Sequence, residues 1–191
     1  GLLEKAGARG FVVRAFSEAD VWCAVEVRGV LEGLAARRLA ERGLSDEQRR
    51  LLQGWLDEGE RVLAAGRLDE AAIAAWSRLN EAFHRTIVEG TDSRVIADAI
   101  ARNNHLPFAS ADSIVIDTAA LDREYQKLRM AQMQHLLVFD ALASREGARV
   151  EMLMREHAWI GFRYGRLFGP QTPAEGAGSA LGSPGARQAG R

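Results

Sequence analysis

Three of the four histidines in this chain, His84, His135 and His157, fall on apolar helical stripes, and Asn80 stands one helical turn before the first of them. Neutral imidazole is the commonest ligand of borderline divalent ions. Three imidazoles plus one amide oxygen suit Zn²⁺ or Ni²⁺, with Mn²⁺ or Co²⁺ as alternatives, and leave coordination positions open for water or a ligand carboxylate. A closed structural zinc site would call on cysteine, which this pattern does not supply. One histidine on an apolar face is ordinarily a hydrogen-bonded core residue. Three that coincide in depth favour a metal.

The coincidence follows from spacing. Between Leu121 and Ser144 the residues Leu121, Tyr125, Leu128, His135, Phe139 and Leu142 form one helical stripe; between Ala148 and Leu167 the stripe is Val150, Leu153, Met154, His157, Ile160 and Tyr164. Arg145, Glu146 and Gly147 interrupt the pattern, so the two segments read as an antiparallel hairpin. Each histidine lies about 14–15 Å from the turn at 1.5 Å rise per residue, so the two imidazoles meet at one level. The third element, Asp69 to Glu89, carries Ile73, Trp76, Asn80, Phe83, His84 and Ile87 on one face, which sets Asn80 and His84 side by side.

Other helices frame these. Ser17-Glu-Ala-Asp20 and Ser45-Asp-Glu-Gln48 are capping boxes, opening a helix of about 25 residues that Gly43 stops and a second that ends near Gly66. Ser93 reads as the N-cap of a further helix, carrying Val95, Ile96, Ala99 and Ile100 until Pro107 disrupts it. Residues 108–120 read as irregular or helical. The sum is an all-α antiparallel bundle of about six helices spanning residues 17–168.

Length and composition suit one ordinary domain: 191 residues, 47% hydrophobic and 27% charged, with a formal net charge of −1 that gives no global reason to bind nucleic acid or an anionic membrane. The single cysteine, Cys23, permits no internal disulfide and is expected in the core of a protein kept in the reducing cytoplasm. No signal peptide is expected, and the sequence holds no apolar run long enough to span a membrane. Residues 169–191 are Gly-, Ala-, Pro- and Ser-rich and read as a disordered tail. Residues 1–16 contain two short apolar runs across Gly-Ala-Arg-Gly, a hairpin signal.

That hairpin, Leu3-Glu-Lys-Ala-Gly-Ala-Arg-Gly-Phe-Val-Val13, resembles the wing closing the winged helix-turn-helix domain of GntR-family transcription regulators. Val27-Arg28-Gly-Val-Leu31-Glu32, Asn80-Glu-Ala-Phe83-His84 and the text from His135 through Glu146 to His157 resemble the family's FadR-type effector domain, FCD. The resemblance implies a divalent metal held by the position of Asn80, commonly Asp in the family, together with His84, His135 and His157. It also implies a homodimer that senses a small carboxylate effector (a sugar acid, hydroxy acid or dicarboxylate) and alters operator DNA binding, with no turnover. Asn80 keeps an oxygen donor but removes a negative charge from the ion's shell. Arg28 and Arg102 are the candidate forks for the effector's carboxylate, although Arg28 and Glu32, one turn apart, can simply pair. Lys5, Arg9 and Arg14 on the wing would touch DNA phosphates in the intact protein. The rival is a metal-dependent bundle enzyme, a hydrolase or oxygenase. Its hook, the Glu-x-x-His of Glu81 and His84, has no second copy, because Met154 and Gln132 stand where the other glutamates belong.

Overall fold

A computed structural model describes residues 3–6, 10–13, 16–106, 110 and 116–163. The elements are β1 (Leu3–Ala6), β2 (Gly10–Val13), α1 (Glu18–Arg42), α2 (Asp46–Leu63), α3 (Glu70–Glu89), α4 (Arg94–Asn104), α5 (Leu121–Ala143), α6 (Gly147–His157) and α7 (Ile160–Arg163). The body is a helical bundle, as the periodicity requires. The strands pair antiparallel with Leu3 opposite Val13 and Ala6 opposite Gly10. The expected tail, the side chains of Lys5, Arg9 and Arg14, and most of 108–120 lie outside the described residues.

Helix starts follow the capping chemistry read above. At α1, Ser17 Oγ accepts from the Asp20 amide at 3.1 Å and the Asp20 carboxylate accepts from the Ser17 amide at 2.9 Å. Ser45 and Gln48 repeat the arrangement at α2, and Asp69 and Ser93 cap α3 and α4. Each cap satisfies amide donors that the first helical turn leaves open.

Helix α1 lies along α6 and also meets α3, α4 and α5. Close approach to α6 needs small residues: a Cβ on Gly33 would come within 3.0 Å of the Glu151 carbonyl, and one on Gly29 within 3.1 Å of Ala158 Cβ. The main core gathers Ala36, Leu39, Leu52, Phe83, Val138 and Met154 from five helices, and a smaller one forms around Leu63, Trp76 and Leu128. By contrast Gly54, mid-way along α2, faces open space, since a Cβ there would meet nothing within 4 Å. In a helix interior glycine costs about 1 kcal/mol relative to alanine, and nothing in the chain's own packing asks for it here.

Two expectations are corrected. The last helix does not run unbroken to Leu167; it stops at His157, and a tight turn precedes α7. There the Phe162 amide bonds the Trp159 carbonyl, and the Ala158 carbonyl, left out of the ladder, accepts from Arg28 Nη2 at 3.0 Å. Cys23, expected in the core, is exposed, because the buried stripe of α1 passes through Ala24, Val25, Arg28 and Glu32 instead.

Candidate metal centre

The α5–α6 turn sets the level of the centre. Arg145 adopts φ 61°, the Glu146 amide reaches back to the Ala141 carbonyl at 2.9 Å, and the Arg145 guanidinium clamps the end of α1 by donating to the Glu41 carbonyl at 2.8 Å. Nine or ten residues away on each side, His135 and His157 meet as the spacing requires, Nε2 to Nε2 at 3.1 Å. From α3, His84 brings its Nε2 to 3.2 Å from His157 Nε2. All three are buried, with one ring nitrogen apiece within 4.8 Å of the others.

The other ring nitrogens decide the chemistry. His84 Nδ1 sits 3.0 Å from Glu32 Oε2, and His157 Nδ1 sits 2.9 Å from Gln134 Oε1. Both partners are acceptors, so each Nδ1 carries the hydrogen and donates it, which assigns the tautomers from the hydrogen-bond network. The Nε2 atoms of His84 and His157 therefore face one another with lone pairs at 3.2 Å. Facing acceptors repel unless a cation or a shared proton lies between them. Burial, then the neighbouring imidazoles, pushes the pKa of His157 well below 6.5, and burial with His84 does the same to His135, which disfavours a proton on either of these two rings. A divalent ion about 2.0–2.1 Å from each nitrogen would separate a pair by about 2.8–3.4 Å, for ligand angles from 90° to tetrahedral. The observed spacings of 3.1 and 3.2 Å fall in that range.

The surroundings hold the rings in place. His135 stacks between Phe83, at 4.3 Å between centroids, and Trp76, at 5.8 Å. Glu32 is fully buried, which by itself would raise its pKa, yet the His84 imidazole and then the Arg28 guanidinium outweigh burial and hold it below the usual carboxylate value. A carboxylate behind a metal-binding imidazole raises that ligand's basicity and fixes its orientation.

A family model for the FCD domain matches residues 23–158. This chain belongs to the FCD family. FCD domains are the C-terminal effector domains of GntR-family transcription regulators, proteins that are not enzymes. No curated protein matches this chain.

Within this FCD domain the sequence-derived residues are placed unequally. Asn80 is 5% exposed on α3, one turn before His84 and on the same buried face. Arg28 is also buried, but its fork is engaged: Nη1 donates to the Ser110 carbonyl and Nη2 to the Ala158 carbonyl, each at 3.0 Å, while Nε lies 3.9 Å from Glu32. Arg102 is exposed on α4, whose buried face is Ile96, Ile100 and Asn103. A cavity of about 560 Å³ opens beside the centre, lined by His84, Glu32, Arg85, Ile100 and Ser110 among others; Arg102 is not part of its lining. Glu81 is exposed and pairs with Arg85 at 3.1 Å; it shares the cavity's lining with His84, but no second Glu-x-x-His accompanies it.

Two residues behind the histidines, Glu32 and Gln134, escaped the reading of the sequence. Glu32 had a signal, a carboxylate on the buried stripe of α1, which was accounted for by Arg28 alone. Gln134 had none, since it lies off the apolar stripe of α5.

The depressed histidines set a pH dependence. His135 and His157 stay neutral in the fold and take up protons near 6.5 once unfolded, so stability is full above that value and falls below it. In chelator-treated protein, unfolding free energy should decline by up to about 1.4 kcal/mol per pH unit for each histidine below pH 6.5. Urea titrations between pH 7.5 and 5 check this, and a flat profile there would contradict neutral buried imidazoles.

Proposed function

We propose that this FCD domain senses a small organic acid through a divalent ion held by His84, His135 and His157, with the Asn80 side chain as oxygen donor. The pair of lone-pair-bearing Nε2 atoms at 3.2 Å carries the reading. Zn²⁺ or Ni²⁺ fits the donor set best, followed by Mn²⁺ or Co²⁺. The bound ion supplies a Lewis-acidic position for a sugar acid, hydroxy acid or dicarboxylate that enters through the cavity between α3 and α4. Arg28, bonded through Nη1 to the carbonyl of Ser110 in that cavity's lining, would exchange this bond for the effector's carboxylate. Arg102 would serve only if α4 turned.

Coupling requires the effector to favour one of two arrangements of a homodimer, typically by about 1–3 kcal/mol. The β1–β2 hairpin, as the wing of a DNA-reading head, precedes α1 in the sequence and would be the route by which the bundle's state reaches the operator, with Lys5, Arg9 and Arg14 on phosphates. The domain should sediment as a dimer at tens of micromolar, and a monomer would move the interface elsewhere.

The test is a thermal-shift screen of sugar acids, hydroxy acids and dicarboxylates with and without chelator. A stabilising ligand whose effect vanishes on metal removal supports the reading; one whose effect survives complete removal refutes metal-mediated sensing. Asn80 is tested separately. Asn80→Asp restores a negative charge to the ion's shell and should tighten Zn²⁺ binding by about tenfold in a competition titration; unchanged affinity would remove Asn80 from the ligand set.

A further inference from the structure

Around α3 from the histidine centre's entry, with Arg85 bordering both, α2 and α3 enclose an open groove of about 560 Å³. Leu51, Trp55, Leu79 and Ala82 supply its apolar surface, and Leu51 remains 43% exposed there. The rim is cationic. Arg50 on α2 and Arg78 and Arg85 on α3 line it, against a single acid, Glu58. Glu58 is paired with Arg61, and Arg85 with Glu81, whereas neither Arg50 nor Arg78 makes an ion pair among the described residues. The groove therefore combines an apolar floor with two uncompensated guanidinium forks, in a chain whose net charge is −1.

Gly54 lies within this lining, and a Cβ there would meet nothing within 4 Å. The open volume above the α2 backbone is thus not demanded by any contact inside the fold. It is room for another molecule to approach.

We propose that this groove is a second ligand site, for an amphipathic carboxylate: a compact apolar or aromatic body seated on Trp55 and Leu79 above Gly54, and an acid group held by Arg50 and Arg78. The size falls within the range of small-molecule sites, which are mostly apolar with a few convergent polar groups. Guanidinium forks match a carboxylate in geometry and charge. The site stands independently of the metal reading, because none of its donors belongs to the histidine centre.

The test is isothermal titration of the purified chain with 2-naphthoate and with its neutral counterpart 2-naphthylmethanol. Naphthoate should bind at least about tenfold more tightly than the alcohol. Gly54→Leu sets a Cβ where no protein atom lies within 4 Å and extends an apolar group over the floor, and Arg50→Glu combined with Arg78→Glu reverses the rim charge; each should weaken naphthoate binding by about tenfold or more while thermal melting confirms the fold. Chelator treatment should leave the affinity unchanged. No naphthoate binding, equal binding of the alcohol, insensitivity to Gly54→Leu, or loss of binding in chelator would each overturn the proposal, the last by placing the ligand at the histidines. Binding that weakens as protein concentration rises would assign the groove to a second copy of the chain and overturn it as well.

Discussion

Replacing His135 and His157 together by alanine should reduce the divalent metal that co-purifies with the chain from about one ion per molecule to background. Elemental analysis of both proteins after identical purification measures it, and equal metal content would end the case for the centre. The expectation rests on the His84–His157 pair, whose facing nitrogens both carry lone pairs. Two imidazoles are fixed as Nδ1–H tautomers by Glu32 and Gln134, and their buried Nε2 atoms are held together at 3.2 Å. Ion binding would relieve that repulsion. Free metal at about 100 times its Kd should stabilise the parent by about 2.7 kcal/mol. That corresponds to roughly 5–11 °C in melting temperature for a domain of this size. The double variant also leaves a hole in the core, so its own stability is a poor measure. The chelator-treated parent supplies the cleaner comparison: it should lose the stabilisation, and the variant should show none to lose.

The second large effect is expected at Glu32, which touches no metal. Its carboxylate is 3% exposed at the residue level and lies between His84 Nδ1, at 3.0 Å, and Arg28 Nε, at 3.9 Å. Glu32→Ala leaves the buried Arg28 guanidinium without its counter-charge and should cost about 3–5 kcal/mol in urea unfolding. It also frees the His84 ring to rotate or change tautomer. Glu32→Gln separates the two consequences, because its amide oxygen still accepts from His84 Nδ1–H while the charge is gone. This variant should remain folded and bind Zn²⁺ about 10–100-fold more weakly, the usual cost of losing a partner behind a ligating imidazole. If Glu32→Ala were as stable as the parent, the buried pair would not be holding α1 to α3 and α6.

Much of this domain was legible in its text. The two capping boxes, Asp69, Ser93 and the interruption at Arg145–Gly147 mark helix ends, and the observed elements begin and end within a few residues of them. These signals are local: a side chain three residues away either meets the open amide or does not. The level of His135 and His157 was legible for the same reason, since equal distances from one turn fix equal heights in an antiparallel hairpin.

Other features had no such signal. The break after His157 depends on Arg28, 130 residues distant, offering a donor to the Ala158 carbonyl. Apolar periodicity ran on through Ile160 and suggested one helix. The apolar stripe of α5 gives no signal for its polar residues, yet Glu124 and Lys127 are buried as an ion pair and Gln132 is buried against the Leu56 carbonyl at 2.9 Å.

The sequence by itself determined the helices, their caps and the depth of three histidines, because each follows from contacts within a few residues along one helix or from counting along two. Only the tertiary structure decided which nitrogens face one another, that Glu32 and Gln134 stand behind them, that Cys23 lies outside, and that Arg102 is off the entry to the centre. Those outcomes depend on the rotation of each helix about its axis against its neighbours. That rotation is set by the whole packed interior, through close approaches such as Gly29 and Gly33 against α6.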